Sequence, residues 1–268
     1  MMNRIVTLLG ALVFAACLGP AAAFTGSDLR MEETPINRLD AESLQRGART
    51  FVNYCLNCHS AKYMRYNRLT DIGIDVSMVE DNLMFATKKV GETMMVAMTP
   101  ADAKAWFGVP PPDLTVESRV RGADWLYNYF LAFYRDDASA TGWNNLVFPN
   151  VAMPHVLWQQ GGTNRLVTAE FKSHDEAKAA ALGAKGIVLL APGKDDTFIV
   201  KTLTTETPGT LSPTEYRAMV ADLVNFLDYM AEPAKNKRIR LGLVVLLYLV
   251  VLLFFTYWLK REYWKDVH

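Results

Sequence analysis

Two cysteines three positions apart, followed at once by a histidine, stand at Cys55-Leu56-Asn57-Cys58-His59. Thiols at this spacing can add to the two vinyl groups on one edge of a haem, and the next residue then directs its imidazole at the iron; this is the attachment signature of c-type haem. The motif occurs once, which predicts one covalently bound haem c held by Cys55 and Cys58, with His59 on the metal. Other uses of these residues fit less well. A thioredoxin-like pair belongs near a βαβ pattern, and none is evident around residue 55. A structural zinc site takes four ligands, whereas Cys55, Cys58 and His59 supply three and Cys17 is the only further cysteine. A plain disulfide leaves His59 and the helical pattern before Cys55 unexplained.

An iron held by His59 needs a second ligand from the opposite face, and histidine or methionine can supply it. Most methionines fill cores, and Met64, Met84, Met94, Met95, Met98, Met219 and Met230 are read that way. Met153 differs. It lies far along the chain, in Phe148-Pro149-Asn150-Val151-Ala152-Met153-Pro154, where flanking prolines can hold a thioether rigidly. His155 is its rival. Met153 is favoured because Met/His ligation is the general pairing in cytochromes c and raises the reduction potential, while a second imidazole leaves it lower. With both axial positions filled, no open position remains for substrate, so the pattern predicts electron transfer rather than oxygen or peroxide chemistry.

Periodicity shows which elements must position these groups. Residues 40–55 carry Leu44, Ala48, Phe51, Val52 and Cys55 at helical spacing behind Asp40, a capping residue, so an amphipathic helix delivers the first thiol. Residues 99–118 read as a Pro-rich loop around Pro110-Pro111-Pro112-Asp113, residues 122–134 as an aromatic-rich helix, and residues 142–162 as mostly loop. Residues 163–205 break the helical pattern, and the apolar runs on either side of Pro192-Gly193 predict a short β-hairpin. Ser212-Pro213-Thr214-Glu215 then opens a helix with a capping box and a proline at its first position. Its apolar stripe includes Tyr216, Val220, Leu223, Leu227 and Met230, and Pro233 ends it.

Charge is balanced, with 28 Lys and Arg against 28 Asp and Glu in 268 residues, but unevenly spread. Residues 24–234 hold 20 basic and 26 acidic residues, a net −6, which suits attraction of a basic partner and plain solubility equally. Residues 1–23 read as a secretory signal peptide: Arg4, a short apolar run, then Ala21-Ala22-Ala23 for cleavage. A lipoprotein signal acylated on Cys17 matches less well. Residues 241–259 are 19 uncharged residues, about 28 Å long as a helix, against a bilayer hydrocarbon core of about 30 Å. Tyr257, Trp258, Tyr263 and Trp264 mark an interfacial belt at its end. Basic residues flank both sides, so the signal peptide sets the direction. It exports residues 24–234 as a haem domain and leaves residues 235–268 as an anchor with a short inner tail.

These motifs, taken in order, resemble the cytochrome c1 family, the haem subunits of the ubiquinol–cytochrome c oxidoreductase (the cytochrome bc1 complex). The resemblance rests on the haem motif, Pro111-Pro112-Asp113-Leu114, Arg119-Val120-Arg121 leading into Asp124-Trp125, Phe148-Pro149, Met153-Pro154, Ala231-Glu232-Pro233, and Leu241-Gly242 within the single terminal span. It implies a mainly α, class I c-type cytochrome fold with a small β-hairpin insertion and one C-terminal transmembrane helix. It implies Met153 as axial ligand, Arg121 paired with a haem propionate, and Pro111 and Pro112 close to the histidine side of the haem. Trp125 occupies a position where mitochondrial members carry Tyr, and the loop before Met153 is shorter than theirs. The implied role is an electron carrier with no catalytic residue of its own, inside a proton-translocating reductase. It takes an electron from the Rieske iron–sulfur protein and gives it to a cytochrome c. Cytochrome b, membrane lipid and a dimeric complex are the implied surroundings, with no nucleic acid, and the place is the cell inner membrane, haem domain on the periplasmic side. A free-standing membrane-anchored cytochrome shuttle or oxidase subunit, and a haem enzyme with an exchangeable sixth ligand, are the competing readings.

Overall fold

The computed structural model describes residues 28–266, so the expected signal peptide at 1–23 and Cys17 lie outside the described residues. Among the described residues the chain divides into two compact units, one of residues 28–31 with 165–204, the other of residues 32–164 with the chain from 205 onward.

The larger unit is built on a helix pair. Ala41–Thr50 starts at Asp40, whose carboxylate accepts from the Ser43 amide at 3.0 Å. Pro213–Ala231 starts at Ser212, which forms a reciprocal capping box with Glu215. The two helices cross at a glycine. A Cβ on Gly47 would stand 2.1 Å from the Asp222 carbonyl oxygen and 2.7 Å from Cβ of Phe226, so the backbones approach this closely only because position 47 has no side chain. Around the crossing, Leu44, Ala48 and Phe51 pack in one core with Val220, Leu223 and Leu227, and the rings of Phe51 and Phe226 are 5.6 Å apart. Charged clamps flank it. Arg46 holds Asp222 with two hydrogen bonds, at 2.6 and 3.1 Å. Arg38 pairs with the largely buried Asp228, which also accepts from the Ser118 hydroxyl at 3.1 Å.

Several elements differ from the sequence reading. The helix expected over 40–55 is α-helical only to Thr50; Phe51–Cys55 continues it as a wider π turn, with the Leu56 amide bonded to the Phe51 carbonyl at 3.0 Å. Residues 99–118 are not all loop. Pro100–Phe107 is a helix capped by Thr99, whose hydroxyl accepts from the Asp102 amide at 3.2 Å, and Glu117–Arg121 is a second short helix. The cap, the proline at the first position and the acidic first turn are all in the sequence, but the proline run after them dominates a reading by composition. The aromatic helix spans Ala123–Leu131, and the chain then forms a hairpin, Phe133–Arg135 against Trp143–Asn145. Of the methionines read as core, Met64, Met94 and Met230 are buried, whereas Met95 is exposed at 47%.

The smaller unit is more than the expected hairpin. Its strands lie in the order Asp28–Arg30, Val188–Pro192, Phe198–Thr207, Thr163–Phe171, and His174–Gly183 is a helix. Val188–Pro192 and Phe198–Thr207 pair antiparallel, with Leu190 opposite Val200. Ala177, Val188, Leu190 and Val200 form a separate small core. The Arg30 guanidinium donates to the carbonyls of Ala181 at 2.9 Å, in the last turn of that helix, and of Gly186 at 3.1 Å, just beyond it.

Lys235–Tyr263 is the one helix among the described residues long and apolar enough to cross a membrane, which fits a single-pass membrane anchor. Its 29 residues give about 44 Å at the α-helical rise, the thickness of a bilayer with its headgroup regions. It is therefore longer than the apolar run of 241–259, because the basic flanks continue the helix. Its side chains are exposed along its length, as lipid-facing side chains must be.

Candidate functional site

The wide turn Phe51–Cys55 runs directly into the haem motif. The amides of Cys58 and His59 both bond to the Cys55 carbonyl, at 3.1 and 2.8 Å, which tightens the turn and sets the two cysteines and His59 on one cavity. Neither thiol is bonded to another cysteine. Cys55 is 4% exposed, and burial, with the neighbouring Cys58 adding to it, pushes its thiol up to about 12. Burial also raises the more accessible Cys58. Among the described residues no group of three His, Cys, Asp or Glu side chains is placed to hold a metal ion.

His59 has a fixed tautomer. Its Nδ1 lies 2.7 Å from the Pro112 carbonyl oxygen. A carbonyl can only accept, so Nδ1 carries the proton and Nε2 is left with the lone pair, as a metal-ligating histidine requires. Burial pushes the imidazole below its ordinary value of 6.5, and the bond to Pro112 with the charges of Glu117 and Asp113 pulls the other way. The loop carrying Pro112 is tied to the strand after the motif. Asp113 accepts from the Lys62 amide at 2.8 Å and the Thr115 amide at 3.0 Å, and the Leu114 amide donates to the Ser60 carbonyl at 2.9 Å. Pro111 and Pro112 both line the cavity.

Another part of the cavity wall comes from the segment after the hairpin. Met153 lines the cavity, half-buried, with its Sδ 3.4 Å from the Tyr129 hydroxyl. Two asparagines shape this segment. Asn145 donates to the Tyr129 carbonyl at 2.8 Å, and its oxygen accepts from the amides of Val147 and Phe148 at 2.9 and 3.0 Å. Asn144 accepts from the amide of Asn150 at 2.8 Å, where the backbone turns through φ 61°. His155, the rival ligand, points elsewhere: it is 4% exposed, stacked on Phe133 at 4.8 Å and edge-on to Trp143, and is not among the cavity's lining residues.

Arg121 reaches the cavity from the end of Glu117–Arg121. Its Nε donates to Glu117 at 2.5 Å, and its guanidinium lies 4.4 Å from the centre of the Trp125 ring. Trp125, Tyr129, Phe130 and Phe148 make the remaining walls largely aromatic, and the cavity, its open mouth included, holds about 1230 Å³ of empty space. All seven site residues read from the sequence line it. Tyr129, Asn144, Asn145 and Glu117 were not singled out by the sequence. Asn144-Asn145 next to Gly142 carries a turn signal, but nothing marks which amides those side chains serve.

Such a cavity suits a flat, mostly apolar group bearing a metal at its centre and acids on its edge. Two unpaired thiols, an imidazole with a free nitrogen, a thioether and a guanidinium are the donor set that haem c uses.

Comparison with known proteins accords with this chemistry. The Cytochrome C1 family pattern matches residues 31–164 and 203–267. The stretch it leaves out nearly coincides with residues 165–204 of the smaller unit. The chain is 44% identical over 253 residues to a cytochrome c1 of Allochromatium vinosum, covering 94% of this chain and 96% of that one. It is 42% identical over 258 residues to a protein named ammonia monooxygenase gamma subunit of Nitrosomonas europaea, covering 96% and 97%. A cytochrome c1 of Rhodospirillum rubrum is 27% identical over 253 residues, covering 86% and 84%. The family pattern spans well over half of the chain and falls on the unit that carries the cavity, so the chain belongs to the cytochrome C1 family, the electron-transfer subunits of the cytochrome bc1 oxidoreductase complex.

Proposed function

We propose that this chain carries one haem c, takes an electron from a Rieske iron–sulfur protein and gives it to a cytochrome c, as part of a dimeric complex with cytochrome b. In this reading Cys55 and Cys58 form the thioether links, His59 and Met153 ligate the iron, Arg121 pairs with a propionate, and Pro111 and Pro112 wall the histidine side. When bound, the haem supplies a one-electron couple. The chain's own residues hold it, exclude water and fix its ligands; each electron accepted is passed on, and no atom is transferred. The haem domain, residues 24–234 of a class I cytochrome fold, stands on the periplasmic side of the inner membrane behind a signal peptide at 1–23, and residues 235–268 anchor it.

The observation that carries the reading is that Cys55, Cys58, His59 and Met153 line one largely aromatic cavity, with Nδ1 of His59 already committed to Pro112. The test is a haem stain of the denatured chain with a redox titration of the complex extracted in mild detergent. Porphyrin retained on the denatured chain, co-purifying with cytochrome b and a Rieske protein, is the expected result; a denatured chain free of porphyrin overturns it. Met153→Leu should lower the potential sharply and open the reduced iron to carbon monoxide. The relative named as an ammonia monooxygenase subunit gives a second assembly, and co-purification with a monooxygenase instead of cytochrome b would favour it.

A further inference from the structure

We propose that Tyr129 is a positioning residue for Met153, holding the thioether by a hydrogen bond to Sδ and thereby raising the reduction potential of the haem. The inference rests on the reading of Met153 as axial ligand. The Tyr129 hydroxyl donates to Met153 Sδ at 3.4 Å. A thioether sulfur has two lone pairs, so one can bind iron while the other accepts this bond. A donor on the sulfur withdraws electron density from it. The oxidised iron depends on that density more than the reduced iron does, so the bond favours the reduced form.

The geometry is fixed from two sides. The Tyr129 ring is buried, stacked on Trp125 at 5.0 Å with 13° between planes, and meets Phe133 edge-on at 5.1 Å. Asn145 joins donor and acceptor segments, since its amide group bonds the Tyr129 carbonyl while its oxygen receives the amides that begin the Met153 segment. The phenol and the thioether therefore hold their spacing independently of the haem.

The test is Tyr129→Phe in the intact membrane complex, which removes one oxygen and keeps the ring. Two readouts are needed: the potential by redox titration, and the weak long-wavelength absorption that marks thioether bound to oxidised iron. A lost hydrogen bond of ordinary strength shifts the oxidised-to-reduced ratio by about two- to tenfold, which lowers the potential by about 18 to 59 mV for one electron. Retention of the thioether band with this downward shift supports the proposal, and an unchanged potential overturns it. Site-directed 3-fluorotyrosine at position 129 keeps the fold and strengthens the donor; an upward shift supports the proposal and no shift overturns it. If Met153→Leu leaves band and potential as in the parent, Met153 is not the ligand, and the reading beneath this proposal fails with it.

Discussion

Arg121 combines two interactions that ask for different properties of a side chain. Its Nε serves Glu117 while its flat face lies on Trp125. Lysine keeps the charge but offers neither the fork nor the plane. Arg121→Lys is therefore expected to lower the potential of the assembled protein, measured by redox titration, with haem per chain unchanged, whereas a simple surface charge would tolerate the change. Gly47 is the second position where one atom decides the outcome. Ala at 47 would place its Cβ against the Asp222 carbonyl, a backbone atom that cannot swing away. The helix pair must separate, at a cost of about 1–3 kcal/mol or more; thermal unfolding of Gly47→Ala should show a clear loss of stability with the haem spectrum unchanged until the transition.

At the scale of elements, the helix Pro213–Ala231 is tied to the rest of its unit by a carboxylate. Burial alone would raise Asp228, but the hydrogen bond and charge of Arg38 more than offset it and hold it below its usual 3.8. A carboxylate depressed on folding contributes stability that is complete above its unfolded value and is lost as pH falls through the lower folded value. Acid should thus loosen this clamp only below about pH 4, and Asp228→Asn should be less stable than the parent at pH 7, with the difference shrinking in acid melts. The elements also show what can be read from a chain. The capping box at Ser212 and Glu215 and the apolar stripe behind it were legible because each is local, complete within a few turns. The haem motif was legible because its chemistry demands contiguous residues. The π turn at Phe51–Cys55 was not, since one extra residue per turn leaves the apolar spacing almost unchanged. Nor was the strand pairing of Phe133–Arg135 with Trp143–Asn145, each only three residues long. Tyr129 looked like one more aromatic on a helix; its link to Met153 spans 24 positions and exists only in the fold.

For the molecule as a whole, the two units and the terminal helix separate into parts with different tasks. The family pattern lies on the larger unit and leaves out most of the smaller one. Asn164 and Thr205, the residues of the larger unit at either end of 165–204, meet at 3.4 Å through their side chains. A short turn could join them, so replacing residues 165–204 by such a turn is expected to leave haem attachment and potential as in the parent. A loss of bound haem would show that the smaller unit is needed to complete the site. Ending the chain after residue 234 should yield a haem domain that stays in solution without detergent, with the same reduced spectrum, since the terminal helix has no buried side chain of its own.

The burial of Cys55 has a consequence for how the protein is made. A thiol 4% exposed and pushed up to about 12 by burial is held in its protonated, less reactive form at neutral pH. Once the chain has closed on itself, this sulfur lines the cavity in that less reactive form. In the proposed reading, joining a porphyrin to it is therefore expected to be easier on an open polypeptide than on the closed one. Haem supplied before folding should then attach faster than haem supplied to a chain already folded.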